Sequence, residues 1–266
     1  MYNILSKASI GVILLTGLAF PVFSQLQKRK LIWSEEFNYR GLPNPKKWGY
    51  ETGFVRNSEK QYYTKDSLQN AEVKGGSLVI TSLKEDYQGA AYTSASINTL
   101  DKQSFKGDIR VEIKAKLPKG KGIWPALWMM GTNTNQVGWP KGVEFDIMEF
   151  VGHTEDTVHA NIHWWDSASA APNKKSSKGG TVNLTDLHTD YHVYGLERRG
   201  DSITVFVDSQ IYLSIKAPET AFANSFTGPL YLLINTAVGG EWGGPIDDTI
   251  FPQKYYVDYV RVYKLD

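Results

Sequence analysis

Between residues 109 and 117 apolar and charged positions alternate without a break: Ile109, Val111, Ile113, Ala115 and Leu117 interleave with Arg110, Glu112, Lys114 and Lys116. A period of two places the two sets on opposite faces of an extended chain, so the segment predicts a β-strand with one buried face. Further β-rich runs lie at 77–82, 191–197, 203–207, 230–235 and 255–263. Turn clusters such as Lys74-Gly75-Gly76, Pro118-Lys119-Gly120, Arg199-Gly200-Asp201 and Gly239-Gly240 punctuate them. Beyond residue 25 no stretch carries the helical stripe of apolar residues at useful length. Many short strands with turns about every dozen residues predict an all-β chain folded as an antiparallel sandwich. Residues 167–180, SASAAPNKKSSKGG, read as a basic, small-residue surface loop, too short and too central to join domains.

The first residues break this pattern. Lys7 is the only charge before residue 24, an apolar run covers 8–20, and Pro21 precedes small residues. That is the layout of a secretory signal peptide, with cleavage expected after Ser24. The apolar run is shorter than the roughly 20 residues that span a bilayer, so no stable membrane span is expected once it is removed. The expected organisation is a signal peptide over 1–24 and a single domain over 25–266. The mature protein is expected to be exported, whether secreted, periplasmic or at the cell surface.

Charge and composition narrow the chemistry. Lys and Arg total 29 against 28 Asp and Glu, a balance that argues against a nucleic-acid binder. The absence of cysteine excludes disulfides, thiolate metal sites and a Cys nucleophile. Eight Trp and 15 Tyr exceed what the core of a polar chain requires, and five of the eight Trp fall between residues 124 and 165. In the middle of that interval lies Glu144-Phe145-Asp146-Ile147-Met148-Glu149. On a regular strand Glu144 and Asp146 share a face and Glu149 points the other way. A bulge at Ile147–Met148 would return Glu149 to the face of the other two. Clustered carboxylates cannot all ionise comfortably, so one of them should hold a proton near neutrality. One ionised and one protonated acid are the parts that covalent glycosyl transfer needs. Trp crowding fits a sugar, whose C–H faces stack on aromatic rings. His159 and His163 are four apart on a predicted strand, too far along it to share a metal, and His159 reads as structural.

Glu144-Phe145-Asp146-Ile147-Met148-Glu149 resembles the bulged E-x-D-x-x-E signature of family 16 glycoside hydrolases, with bacterial laminarinases (endo-β-1,3-glucanases) as the nearest subgroup. The resemblance extends from Leu31 to Lys264 through an ordered set of pieces. These include Trp33-Ser34-Glu35-Glu36-Phe37, Asn57-Ser58-Glu59-Lys60-Gln61-Tyr62-Tyr63-Thr64, Ile123-Trp124-Pro125-Ala126 and Val257-Asp258-Tyr259-Val260-Arg261-Val262-Tyr263. It implies a concanavalin A-like jelly roll with a concave substrate cleft, acting as a monomer on β-1,3-glucan or mixed-linkage β-1,3-1,4-glucan. By position it implies Glu144 as nucleophile, Glu149 as acid/base and Asp146 between them. It further implies stacking on sugar by Trp124, Trp128 and Trp139, hydroxyl binding by Asn57 and Glu59, and a polar role beside the acids for His163. Many members hold a structural calcium; the matching groups are Glu36, the Gly76 region and Asp258. No cofactor is implied for catalysis. The chain departs from the pattern at Ser96, where the family usually carries an Arg that often contacts substrate. The same resemblance leaves two alternatives, a hydrolase of a marine galactan and a non-catalytic glucan-recognition protein. The second normally lacks one or both catalytic acids, which are present here.

Overall fold

The computed structural model describes residues 29–266. The segment read as a signal peptide, 1–24, lies outside the described residues. In chain order the strands are β1 (Arg29–Glu35), β2 (Gly49–Glu51), β3 (Gln61–Tyr63), β4 (Ala71–Lys74), β5 (Ser77–Tyr87) and β6 (Ala90–Ser94). Then follow β7 (Ser96–Asn98), β8 (Ile109–Lys116), β9 (Ile123–Gly131), β10 (Glu144–Phe150), β11 (Thr157–Trp165) and β12 (Lys175–Asn183). The last are β13 (His192–Arg199), β14 (Ser202–Val207), β15 (Gln210–Lys216), β16 (Leu230–Val238) and β17 (Gln253–Leu265).

They form a jelly-roll sandwich of two sheets. One runs β15-β14-β13-β8-β17-β5-β6-β3, with β1 added to β17 and β4 to β5; the other runs β12-β11-β10-β9-β16-β7-β2. The predicted alternation of β8 is realised, with Ile109, Val111, Ile113 and Ala115 fully buried. Its outward residues form a charged ladder: Arg110 Nε lies 2.6 Å from Glu112 Oε1 and Arg110 Nη1 3.3 Å from Glu197 Oε2. The seven-stranded sheet is different, because β9 and β16 are buried on both faces. Their inward side chains, such as Leu127, Met129, Leu232 and Ile234, belong to the main core. Their outward ones, Trp128, Tyr231 and Leu233, pack together, and Trp128 with Ala126 and Met130 lines a cleft. A strand buried on both faces loses its alternation, so the sequence of β16 is nearly continuous in apolar residues.

One expectation fails. Residues 175–180 are not loop but the first two thirds of β12, which pairs with β11 from Lys175↔Trp165 to Asn183↔Thr157. Its Ser, Lys and Gly composition reflects an edge strand with little side chain to bury, and such a strand carries no apolar period to read.

Candidate active site

The bulge in β10 is present. Pairing with β11 slips between Asp146↔Asn161 and Glu149↔His159, and pairing with β9 slips between Asp146↔Trp128 and Met148↔Leu127. Ile147 and Met148 consequently both point into the core beside Phe145 and Phe150. Glu144, Asp146 and Glu149 are left on one face, lining a cleft of about 300 Å³. A hydroxyl from the other sheet fixes the bulge: Tyr212 of β15 donates to the Ile147 carbonyl. The residue before the nucleophile candidate, Val143, has φ 59°, a backbone region that a β-branched side chain rarely adopts.

Each acid has its own surroundings. Glu144 is the more open, and its Oε2 accepts the indole N–H of Trp139 at 3.0 Å. Asp146 is 4% exposed; burial first, and the adjacent Glu144 second, push its pKa well up, against the opposing pull of Lys175. Burial likewise raises Glu149 well above the usual carboxylate range, reinforced by Asp146 and Glu144. Glu149 also accepts two hydrogen bonds that pull the other way, from Trp124 Nε1 at 3.0 Å and Asn161 Nδ2 at 3.4 Å. His163 Nε2 lies 3.4 Å from Asp146 Oδ2 and 3.9 Å from Glu144 Oε1, and burial lowers the pKa of the ring, so the neutral imidazole is favoured. One ligand-type atom from each of Glu144, Asp146 and His163 lies within 4.8 Å of the others. The raised pKa of Asp146 sets a proton in competition with any metal there.

Among the aromatics expected to carry sugar, Trp139 is the exposed one, at 41%. Its ring sits 6.2 Å from that of His163, and the Lys175 ammonium lies 5.0 Å from its centroid. Trp124 presents its N–H to Glu149 and stands edge-on to Trp242 at 5.5 Å. Trp128 is not the open platform expected of it. It is 5% exposed, its N–H is given to Asn235 Oδ1 at 2.8 Å, and the Arg56 guanidinium lies 4.9 Å from its ring centroid. Trp164, counted with the Trp around the acids, faces inward and joins the core. Asn57 and Glu59 line the cleft. The Glu59 carboxylate, however, is held by Gln61 Nε2 at 2.7 Å, Tyr63 Oη at 3.1 Å and Asn57 Nδ2 at 3.3 Å, which makes it a brace for Asn57. His159 is not satisfied by a hydrogen bond as a structural His would be; it packs its ring 4.9 Å from Trp242 and leaves Nε2 without a partner among the described residues.

The sequence reading missed Arg56, Asn161, Lys175, Tyr212, Asn235 and Trp242. Only Arg56 and Trp242 had a local signal, Arg56 as the neighbour of Asn57 and Trp242 between two Gly-Gly pairs. The absent Arg at position 96 has a counterpart in space. Ser96 Oγ donates to Glu51 Oε2 at 2.5 Å, and Glu51 Oε1 accepts from Arg56, so a guanidinium reaches the cleft from another loop.

Away from the cleft, register gathers the implied calcium positions at one corner. Glu35 pairs with Val260, Val257 pairs with Leu78, and β17 bulges at Asp258, so Glu36, the Gly76 turn and Asp258 fall at neighbouring register positions where β1, β5 and β17 adjoin. There Glu36 accepts from Arg261 Nε at 3.0 Å and Nη2 at 2.8 Å, and Asp258 lies 2.7 Å from Lys114 Nζ.

A jelly-roll sandwich bearing paired carboxylates of unequal surroundings in an aromatic-lined cleft defines a glycoside hydrolase. The comparisons agree: residues 57–261 match the model of Glycosyl hydrolases family 16, and the chain belongs to that family. It is 41% identical over 249 residues to a beta-glucanase of Rhodothermus marinus, covering 88% of this chain and 85% of that one. Among solved structures, the laminarinase from Rhodothermus marinus superposes with TM-score 0.83 at 39% identity, over 91% of this chain and 100% of the other. A variant of LamA from Z. galactanivorans, in complex with laminaritriose and laminaritetraose, gives TM-score 0.79 at 34% identity, over 88% of this chain and 99% of the other.

Proposed function

We propose that the protein is an exported, endo-acting, retaining hydrolase of β-1,3-glucan or mixed-linkage β-1,3-1,4-glucan. The observation that carries the mechanism is the bulge that turns Glu144, Asp146 and Glu149 to one face while Ile147 and Met148 go to the core. Glu144, positioned by the Trp139 N–H, attacks the anomeric carbon. Glu149, kept protonated by burial, delivers its proton to the departing glycosidic oxygen. The bond formed is Glu144–C1, and the bond broken is C1–O. Water then enters, Glu149 takes its proton, and the ester to Glu144 is cleaved with net retention. Asp146 holds a proton beside Glu144 and limits the charge that the pair must carry together. The β-glucan substrate is supported by the relatives, and export by the pattern of the N-terminal segment. A monomer suffices, since the acids and their braces come from one chain.

The same reading places a structural calcium at Glu36, the Gly76 turn and Asp258. Two carboxylates and a turn carbonyl are the hard oxygen donors that calcium takes. The ion pairs to Arg261 and Lys114 are about a third exposed, so they are weak enough for a divalent cation to open.

The test is reducing-sugar release from laminarin, mixed-linkage glucan, agarose and carrageenan, with product sizing, for the wild type and Glu144→Gln. Oligosaccharide products from the glucans, a loss of about 10³-fold or more in the variant and retained oligosaccharide binding are expected. Activity confined to the galactans would move the substrate; a variant of near-normal rate would overturn the nucleophile.

A further inference from the structure

We infer that Arg56 is a specificity-determining residue of the cleft, donating from its guanidinium to the hydroxyls of a sugar unit beyond the one attacked. The inference rests on the proposed β-glucan reading and deepens it. Arg56 enters from the loop between β2 and β3, and its guanidinium is fixed on two sides. Nη2 donates to Glu51 Oε1, and the plane lies over the Trp128 ring at 4.9 Å from Cζ to centroid. Glu51 is itself fixed, since its second oxygen accepts Ser96 Oγ at 2.5 Å. A guanidinium has five N–H donors in a rigid plane. Among the described residues Glu51 is the acceptor it uses, and Nη1 is shielded from water with no partner at all. The side chain as a whole is 23% exposed in the cleft wall, so its open N–H groups can still meet an acceptor that a ligand brings. Arg56 lines the same cleft as Glu144, Asp146 and Glu149, on the β9 side of the acid strand.

The partner's chemistry follows from the charge. Glu51 already neutralises the guanidinium, so the site takes neutral hydroxyl oxygens rather than a sulfate or carboxylate. Because the guanidinium caps Trp128, a sugar at this point meets a plane of donors where a bare indole would offer stacking alone. Recognition there selects hydroxyl orientation, which an aromatic platform does not. Trp128 lies on the strand next to the acids, about 4.8 Å away, so the contact falls on a unit adjacent to the cleavage point or one further out.

The test compares kcat and KM of the wild type and Arg56→Lys on laminari-oligosaccharides from the disaccharide to the hexasaccharide. Lysine keeps the charge opposite Glu51 but cannot keep the planar set of donors. We expect KM to rise about tenfold or more for substrates long enough to reach Arg56, with kcat falling no more than about threefold. The double variant Arg56→Ala with Glu51→Gln leaves no unpaired carboxylate at position 51, and Glu59 keeps its hydrogen bonds from Gln61, Tyr63 and Asn57; it should show the same rise and melt within a few degrees of the wild type. Unaltered KM at every length would overturn the inference. So would a loss falling equally on kcat at all lengths together with a lowered Tm, which marks a structural role. A wild type inactive on every β-glucan would instead overturn the substrate reading on which the inference rests.

Discussion

Glu149 keeps its proton because of where the bulge leaves it: buried, beside two other acids, and answered by only two neutral donors. Those donors favour the charged form, so removing one raises the pKa further. A raised acid pKa carries the alkaline limb of kcat/KM to higher pH. Asn161→Ala should therefore shift that limb upward by up to about one unit, read from a pH–rate profile on laminarin. A downward shift would reverse the sign assigned to the Asn161 hydrogen bond. The acids themselves are legible in the chain because charge and apolarity alternate there, and only the bulge departs from regularity. Asn161 and Tyr212 are not legible. One is a polar residue at alternate spacing, the other a tyrosine on a different strand, and each acquires its role through contacts remote in sequence. Trp128 was legible as an aromatic near the acids, but its covering by Arg56 is a meeting of distant segments.

At the level of elements, β12 supports the acid strand from two positions away. A methyl group on Gly180 would fall 1.9 Å from the Tyr212 carbonyl oxygen, so the two sheets approach there without room for a side chain. Tyr212 in turn holds the bulge. A methyl group on Gly179 would fall 2.7 Å from Asn161 Oδ1, the side chain that donates to Glu149. Backbone gives way less readily than a side-chain tip, so the neighbouring substitutions separate. Gly180→Ala should cost about 1–3 kcal/mol of stability and lower kcat. Gly179→Ala should leave Tm nearly in place while moving the pH profile as Asn161→Ala does. Thermal melts with pH–rate profiles check both. That β8, β13, β16 and β17 are strands could be anticipated from apolar runs and turn spacing, though not the order in which they pair. β12 could not, since its glycines serve closeness between layers and a glycine pair in a sequence reads first as a turn.

Across the whole molecule the two sheets divide the work. The ten-stranded sheet turns a charged ladder to solvent, and the seven-stranded sheet turns outward the cleft with its acids and aromatics. The corner of Glu36, Gly76 and Asp258 lies on the ten-stranded side, where β1, β5 and β17 meet. A calcium ion there would stabilise the fold without touching the chemistry. Melting in millimolar calcium should exceed melting in a chelator by several degrees, with initial rates below the transition unaltered. Equal Tm would mean that Arg261 and Lys114 close the corner alone. The placement of β12 has one more consequence. As the outermost strand of its sheet it has no strand partner on its outer side, and an edge of that kind can template a second chain. Lys174 and Lys178 are exposed along that border. Two copies approaching edge to edge would bring these like charges together, which works against pairing along that edge.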